Sequence, residues 1–284
     1  MKKIILLLLL PIFTSHNLYS INTNNSKDSL YFFTSNLLFI PTESSIIESK
    51  IGVIKFTDKK NLKLDIGVSF DMIGYRSFNY DYSLGVDFFT TSNLRSESNF
   101  KFPVDAIDYL FGVNFNMKKR ISGRSVLFNR LRISHISSHF EDGHIYERSD
   151  TIFKPFVFSK EFIDFATVLE VDLSKKLFLK NLVAVNFIIH SIPKELSVVS
   201  GRFGIELNYF LSGIMSLYIS NDLNFASVNS RSNLNENFEG GISIGRKNSR
   251  RVNIFFTYYD GQDYRGQYYG KYLNNKGIGL KFKF

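Results

Sequence analysis

The chain has 284 residues, a formal net charge of +9, no cysteine and a mean hydropathy of −0.06. The absence of cysteine excludes a disulfide framework, a lipoprotein anchor and a cysteine-ligated zinc site, and 21% charged residues are too many for a bundle of membrane helices. Thirty phenylalanines and 15 tyrosines beside only 5 prolines favour long β-strands. Because no Lys/Arg run exceeds residues 118–120, we expect no nucleic-acid partner despite the positive charge.

The first twenty residues have the pattern of a secretory signal peptide. Lys2 and Lys3 precede an apolar run from Ile4 to Phe13, and Ser20 is a suitable last residue before cleavage. Ten apolar residues are too few to span a bilayer, although an uncleaved anchor is the alternative. We predict three parts: a signal peptide at residues 1–20, a periplasmic N-terminal segment rich in Asn and Ser at residues 21–45, and a membrane domain at residues 46–284.

From residue 45 onward, apolar and polar residues alternate along twelve segments. A period of two marks a β-strand with two different faces, and segments of about 9–13 residues suit tilted strands that cross a membrane. A soluble sandwich could not bury the charges on the polar face, whereas a barrel with an aqueous interior and a lipid-facing exterior accommodates both faces. The segments are Ser45–Phe56, Leu62–Met72, Tyr80–Phe89, Ile107–Met117, Arg124–Ser138, Ser159–Leu173, Leu177–Ser191, Gly201–Leu211, Gly213–Phe225, Glu236–Arg246, Val252–Tyr259 and Lys271–Phe284.

The connections between these segments alternate in length. Those after even-numbered segments are short and most of the others are long, which predicts periplasmic turns, outer loops and both termini in the periplasm. The closing stretch Asn275–Phe284 would leave an aggregation-prone edge unless it pairs with the first strand. Its terminal aromatic, Phe284, resembles the signal through which outer-membrane proteins engage the barrel assembly machinery. We predict an all-β, transmembrane, antiparallel up-and-down β-barrel of about 12 strands in the outer membrane of a Gram-negative-type bacterium.

Charged residues recur on the polar face of the predicted strands. In a narrow barrel they either pair into an ion network that plugs the interior or line a small selective pore as rings of charge. His190 falls on the same inward face by its position in the alternation. The charged residues that we assign to the interior are Asp108, Arg130, Arg132, Asp164, Glu170, Arg202 and Glu206.

Several polar stretches stand out in the second half of the chain: Arg132–Phe140, Ser159–Phe162, His190–Pro193 with Gly204–Glu206, Ser220–Asp222, and Tyr259–Tyr268 with Gly277–Leu280. Together they resemble a family of bacterial envelope proteins that is known mainly as a domain of unknown function. The resemblance covers roughly residues 127–284. It implies an outer-membrane-like barrel and supplies no activity.

The densest polar cluster begins at the outer end of the fifth predicted strand. His135 and Ser137 lie two apart on the lipid-facing side, about 6.5–7 Å apart at Cα, and Glu161 has the same facing at the start of the next strand. This arrangement resembles the rim active sites of outer-membrane phospholipase A and the lipid A deacylases, which carry His-x-Ser followed by Asn, where this chain has Ser138. The resemblance implies Ser137 as nucleophile, His135 as base, Glu161 as orienting acid and calcium as an optional cofactor. The alternative is that these residues sit at a wet headgroup boundary for structural reasons.

A metal site is a second interpretation of the same region. His135 and His139, four apart on a strand, are about 13 Å apart and cannot share one ion. If the chain bends after Ser137, four groups could converge on zinc or calcium: His139, Glu141, Asp142 and His144. A solvated polar loop is the alternative.

The function that the sequence favours is non-enzymatic: a structural, binding or small-solute-pore barrel with outer-membrane lipid and lipopolysaccharide around it. The alternative is a rim esterase that acts on the acyl chains of phospholipid or lipopolysaccharide through Ser137, His135 and Glu161.

Overall fold

A computed structural model describes residues 28–33, 37–140, 147–148, 151–152, 156–229, 231–247 and 250–283. The predicted signal peptide, the terminal Phe284 and three of the four predicted metal ligands, namely Glu141, Asp142 and His144, lie outside these residues. In the part that is described, no helix is long and apolar enough to cross a membrane.

Twelve antiparallel strands form a closed barrel in sequence order. Each strand pairs with the next one, and the last pairs with the first, so that the sheet has no free end around the cylinder. The prediction of a twelve-stranded up-and-down barrel is therefore confirmed. The strands are β1 (Ile51–Phe56), β2 (Asn61–Arg76), β3 (Tyr80–Arg95), β4 (Val104–Arg120), β5 (Ser125–Phe140), β6 (Phe158–Asp172), β7 (Leu177–Ile192), β8 (Val199–Ser212), β9 (Met215–Val228), β10 (Arg231–Ile244), β11 (Arg251–Gln262) and β12 (Tyr272–Lys283).

The two faces of the sheet differ as the alternation predicts. Apolar side chains such as Phe115 and Ile254 are exposed on the exterior, whereas Asp65, Arg132 and Lys281 are buried in the lumen. This inverts the soluble pattern, and it suits a cylinder whose exterior contacts lipid while its interior satisfies polar groups. All seven charged residues that we assigned to the interior are buried there.

Most strands are longer than the predicted segments. β9 and β10 continue to Val228 and Arg231, across residues that we had expected to form a loop at 226–235. The physical reason is that backbone pairing does not need apolar side chains and continues into polar residues beyond the apolar band. We call the end that carries the β5–β6 and β11–β12 connections the long-loop end, and the opposite end the short-turn end.

Residues 37–50 pass through the lumen, and we call them the lumenal segment. We had expected residues 21–45 to lie in the periplasm, and Ser45–Phe56 to be the first strand, but β1 begins only at Ile51. A short strand, Ser29–Phe32, pairs with the end of β2 outside the cylinder, and Thr42 to Ser45 are each at most 2% exposed inside it. The segment is held there because its polar groups find partners on the wall: Ser44 N contacts Ser220 Oγ at 3.2 Å, and Lys180 Nζ donates to the Pro41 carbonyl at 3.2 Å.

Glu48 anchors one end of the lumenal segment. Its carboxylate accepts two hydrogen bonds from Arg130, at 2.7 and 2.8 Å, and longer ones from Arg132 and Arg202, both at 3.4 Å. Burial by itself would raise the pKa of Glu48, but the guanidinium groups of Arg130 and Arg132 outweigh burial and hold this pKa well below its usual range. Glu48 is therefore ionised in the lumen.

Glu43 anchors the middle of the segment near the short-turn end. Arg251 Nη2 lies 2.6 Å from its carboxylate, and the ammonium groups of Lys281 and Lys283 lie 3.1 Å away. Asn253 donates a further hydrogen bond at 2.7 Å. Glu43 thus carries the counter-charge to cations from two neighbouring strands, β11 and β12.

The β11–β12 connection, residues 263–271, folds into the long-loop end, and we call it the mouth loop. The backbone N–H of Gly266 donates to Asp108 at 3.1 Å, and that of Gln267 donates to Ser138 Oγ at 3.1 Å. Gly266 has no room for a side chain, since a Cβ would lie 2.4 Å from the Phe158 ring. The lumen is therefore narrowed at this end by the mouth loop and filled further in by the lumenal segment.

Candidate functional site

Two histidines and a carboxylate form a cross-strand row on the exterior of the barrel. Glu161 on β6 is paired in register with His135 on β5 and with His190 on β7. All three residues lie within six positions of the long-loop end of their strands. We call His135, Glu161 and His190 the rim row.

The carboxylate of Glu161 is shared between the two imidazoles. His135 Nδ1 lies 2.7 Å from Oε1 and His190 Nδ1 lies 2.7 Å from Oε2. Ser159 Oγ also donates to Oε1, at 3.0 Å. Each carboxylate oxygen thus orients one imidazole ring, and each ring has its Nε2 directed away from Glu161.

A β-bulge places His190 in this row. Ile188 pairs with Phe162 and His190 pairs with Glu161, so that Ile189 is an extra residue in β7. We had predicted that His190 faces the lumen, and this is wrong because the extra residue reverses the facing of everything after it. The sequence gives no sign of the bulge, because the alternation of apolar and polar residues continues through Ile189.

Ser137 is the next residue after His135 on the same face of β5. It pairs in register with Ser159, one step from the His135–Glu161 pair toward the long-loop end. Among the described residues, the Ser137 hydroxyl has no hydrogen-bond partner, and no hydrogen bond joins it to His135. The structure therefore places the three predicted residues on adjacent strands and one face, with direct contact between His135 and Glu161 only.

The neighbouring residues of the cluster point elsewhere. Ser138 is buried in the lumen and contacts Gln267 of the mouth loop. His139 is exposed, with its ring against the ring of Tyr109 at 5.9 Å between centroids. Among the described residues, no group of His, Asp or Glu is arranged to hold a metal ion, and the predicted metal site, of which only His139 is described, stays a prediction.

The rim row is half-exposed at the edge of the apolar exterior. The side chains of His135, Glu161 and His190 are 42%, 36% and 57% exposed. The next exterior residues toward the short-turn end are apolar, Ile133 on β5 and Ile163 on β6. A polar group there is tolerated because its cost in lipid falls toward the interface. Sequence reasoning identified His135 and Glu161, and it missed His190 and Ser159.

The fold is similar to that of known outer-membrane proteins. Outer membrane phospholipase A from Escherichia coli has a TM-score of 0.52 at 15% identity, over 83% of this chain and 96% of that chain. An active-site mutant of the same enzyme at pH 6.1 has a TM-score of 0.52 at 14% identity, over 83% of this chain and 90% of that chain. The β domain of a Bordetella autotransporter has a TM-score of 0.45 at 10% identity, over 84% of this chain and 100% of that chain. At these identities the likeness concerns the fold alone, and the protein is a β-barrel of the outer-membrane type.

The sequence identifies the family. Residues 68–284 match the family described as protein of unknown function (DUF1207), which is more than half of the chain. The chain therefore belongs to the DUF1207 family. No curated protein sequence matches it.

Proposed function

We propose that this protein is an outer-membrane hydrolase that cleaves acyl esters of phospholipid or lipopolysaccharide at the exterior rim of its barrel. The observation that carries the proposal is the 2.7 Å hydrogen bond between His135 Nδ1 and Glu161, on the face that also bears Ser137. A barrel of similar fold serves as a phospholipase, which is in keeping with a lipid substrate. The proposal includes export of the chain through its N-terminal signal peptide. It also includes a long-loop end that faces the exterior of the cell.

The chemistry follows from the orientation of His135. With Nδ1 donating its proton to Glu161, Nε2 is unprotonated and can accept a proton from Ser137, two residues along the same face. Ser137 Oγ then forms a bond to the acyl carbonyl carbon, its proton passes to His135, and the lipid alcohol leaves with that proton. Attack of water on the acyl-serine ester releases the fatty acid and restores the hydroxyl. Glu161 keeps the imidazole in the productive tautomer.

A small-solute pore has less support than the rim site. Glu43 and Glu48 bind wall cations from both sides of the lumen, and the mouth loop contacts Asp108 and Ser138 at the long-loop end. An aqueous channel requires a continuous path, and these contacts fill the space in which it would run.

The test is hydrolysis of a short-chain diacyl phospholipid by the purified barrel in detergent micelles, with and without calcium. We expect Ser137→Ala to lower turnover by about 1,000-fold or more, because removal of a nucleophile disables the whole catalytic unit. Ser212→Ala is the control, since Ser212 is exposed at the short-turn end of β8, away from the rim row, and its turnover should equal that of the wild type. Absence of hydrolysis by the wild type under both conditions, or equal rates for the wild type and Ser137→Ala, would contradict the proposal.

A further inference from the structure

The lumen contains a cavity of about 180 Å³ near the long-loop end. Ile46 and Ile47 of the lumenal segment line one side, and Gly266 and Tyr269 of the mouth loop line another. One water occupies roughly 10–15 Å³ by the same kind of measure, so the cavity could hold about a dozen waters or a small organic molecule. It lies inside the barrel and is separate from the rim row on the exterior.

Lys160 lines this cavity and makes no ion pair among the described residues, although the charge of Asp108 acts on it from a longer distance. Among the described residues it has no carboxylate within ion-pairing distance and no hydrogen-bond acceptor, and its ammonium lies 5.5 Å from the centroid of the Phe162 ring. Other lumenal cations behave differently: Arg130 holds Glu48, Lys180 lies near Glu170, and Lys281 holds Glu43. Lys160 is partly buried, and an ammonium group in such a place is stabilised by a ligand that supplies a negative charge at ion-pairing distance.

A second cation faces the same cavity. Arg202 is 7% exposed and lines the cavity, and its Nε makes no hydrogen bond, although Asp222 lies 3.6 Å from it. Because this Nε already lies opposite Asp222, Arg202 contributes a fixed positive charge beside the cavity, and Lys160 is the group that can contact a bound anion.

The carboxylates of the cavity are already engaged. Asp164 pairs with Arg130 at 3.3 Å, Asp222 pairs with Arg202, and Asp263 pairs with Arg265 at 2.5 Å. Asp108, whose charge acts on Lys160, accepts a hydrogen bond from the Gly266 N–H, so Lys160 is the cation at this cavity that has no direct ion pair within the described part of the chain. One negative charge balances it, whereas a dianion such as phosphate would leave a second charge facing three aspartates.

The remaining walls are largely apolar. Phe158, Phe162, Ile188 and Leu196 contribute to the lining, and Tyr259 and Tyr269 add two aromatic rings. Apolar walls with a few placed polar groups are typical of sites for small organic ligands. We infer that the cavity binds a small organic carboxylate with an apolar body, whose carboxylate contacts Lys160 Nζ.

The test is calorimetric titration of the full purified barrel with benzoate and, in parallel, with benzamide, which has nearly the same shape and no charge. We expect benzoate to bind and benzamide to bind at least about tenfold more weakly, because a hydrogen bond to a charged group contributes about 1.5–3 kcal/mol. Lys160→Met keeps the length and removes the charge, and it should weaken benzoate by about 10- to 100-fold. Lys175→Met is the matched control, since Lys175 is exposed in the β6–β7 turn.

The outcomes separate clearly. Selective binding of benzoate that is lost in Lys160→Met and kept in Lys175→Met supports the site. Absence of benzoate binding by the wild type, equal binding of benzoate and benzamide, or unchanged binding by a folded Lys160→Met barrel would overturn it. Because benzoate carries no ester, the result does not depend on hydrolysis at the rim.

Discussion

The carboxylate of Glu48 lies among three guanidinium groups, two from β5 and one from β8. Alternation along β5 predicted that Arg130 and Arg132 face the lumen, since a polar residue between two apolar ones must lie on the other face. Their partner could not be predicted in the same way. Glu48 is 82 residues from Arg130, and it lies in the segment Ser45–Phe56 that we had predicted to be the first strand. The alternation in the sequence predicts which face of a strand a residue lies on. Its partner is known only from the tertiary structure.

Glu48 should make the stability of the barrel depend on acidity. Its folded-state pKa is below the unfolded value of about 4.3, so its contribution is complete above that pH and is lost as the pH falls below it toward the folded-state pKa. Glu48→Gln, which cannot ionise, should lower the free energy of unfolding by about 1–3 kcal/mol at pH 7. Guanidinium unfolding in micelles, followed by circular dichroism, measures both proteins.

A comparison of the wild type and Glu48→Gln at two pH values tests whether the ionised carboxylate stabilises the barrel. At pH 3 the difference between the wild type and Glu48→Gln should shrink, because Glu48 of the unfolded wild-type chain is protonated there while folded Glu48 stays ionised, and glutamine does not titrate in either state. A difference of the same size at pH 7 and pH 3 would show that ionisation of Glu48 does not hold the lumenal segment.

At the scale of elements, the bulge in β7 decides which residues form the rim row. Alternation correctly predicted that Val183 and Phe187 face outward and Ala184 inward. It failed after Ile188, because one extra residue reverses the facing and leaves no mark in an apolar run. His135 and Glu161 needed no such correction, since β5 and β6 pair regularly around them.

Deletion of Ile189 should therefore be tolerated. The shortened strand keeps Ile188 opposite Phe162 and His190 opposite Glu161, and it converts the bulge into a regular ladder. We expect the deletion variant to refold, with a free energy of unfolding within about 1 kcal/mol of that of the wild type, because no paired residue changes its face. Heat-modifiable migration on gels and thermal unfolding measure this.

Deletion of Val183 is the matched control in the regular part of the same strand. It would reverse the residues between it and the bulge, which brings Asn186 to the lipid face and Phe187 into the lumen. We expect this deletion to fail in refolding. If the two deletions behave alike, the extra residue has no special role in setting the face of His190.

At the scale of the whole molecule, the composition and alternation were enough to predict the barrel, its strand number and its inverted faces. They were not enough to predict that the barrel is filled. Residues 37–50 contain one short apolar stretch and few charges, so nothing in their pattern distinguishes a lumenal segment from a periplasmic lead-in. Their place is decided by hydrogen-bonding groups on nine of the strands, the most distant of which, Lys281, is 238 residues from Glu43.

A filled lumen should conduct poorly. We expect the wild type to give no stepwise conductance in planar bilayers, and a chain that begins at Ser49 to give steps, because it lacks Glu43 and most of the lumenal segment. A chain that begins at Leu37 is the control, since it keeps the whole segment. Large conductance steps from the wild type would contradict the interpretation, and so would silence from a truncated chain that still shows the heat-modifiable migration of a folded barrel.

The way the cylinder closes also constrains how it is assembled. β1 is joined to β12 by six residue pairs and to β2 by four, fewer than at the other seams, and Lys50 of the lumenal segment is followed directly by Ile51 of β1. The strand that completes the wall and the stretch that fills its interior are consecutive in the chain, so neither can be seated without moving the other. We therefore expect closure of the barrel and filling of its lumen to be coupled, and amide hydrogen exchange to be fastest at this seam.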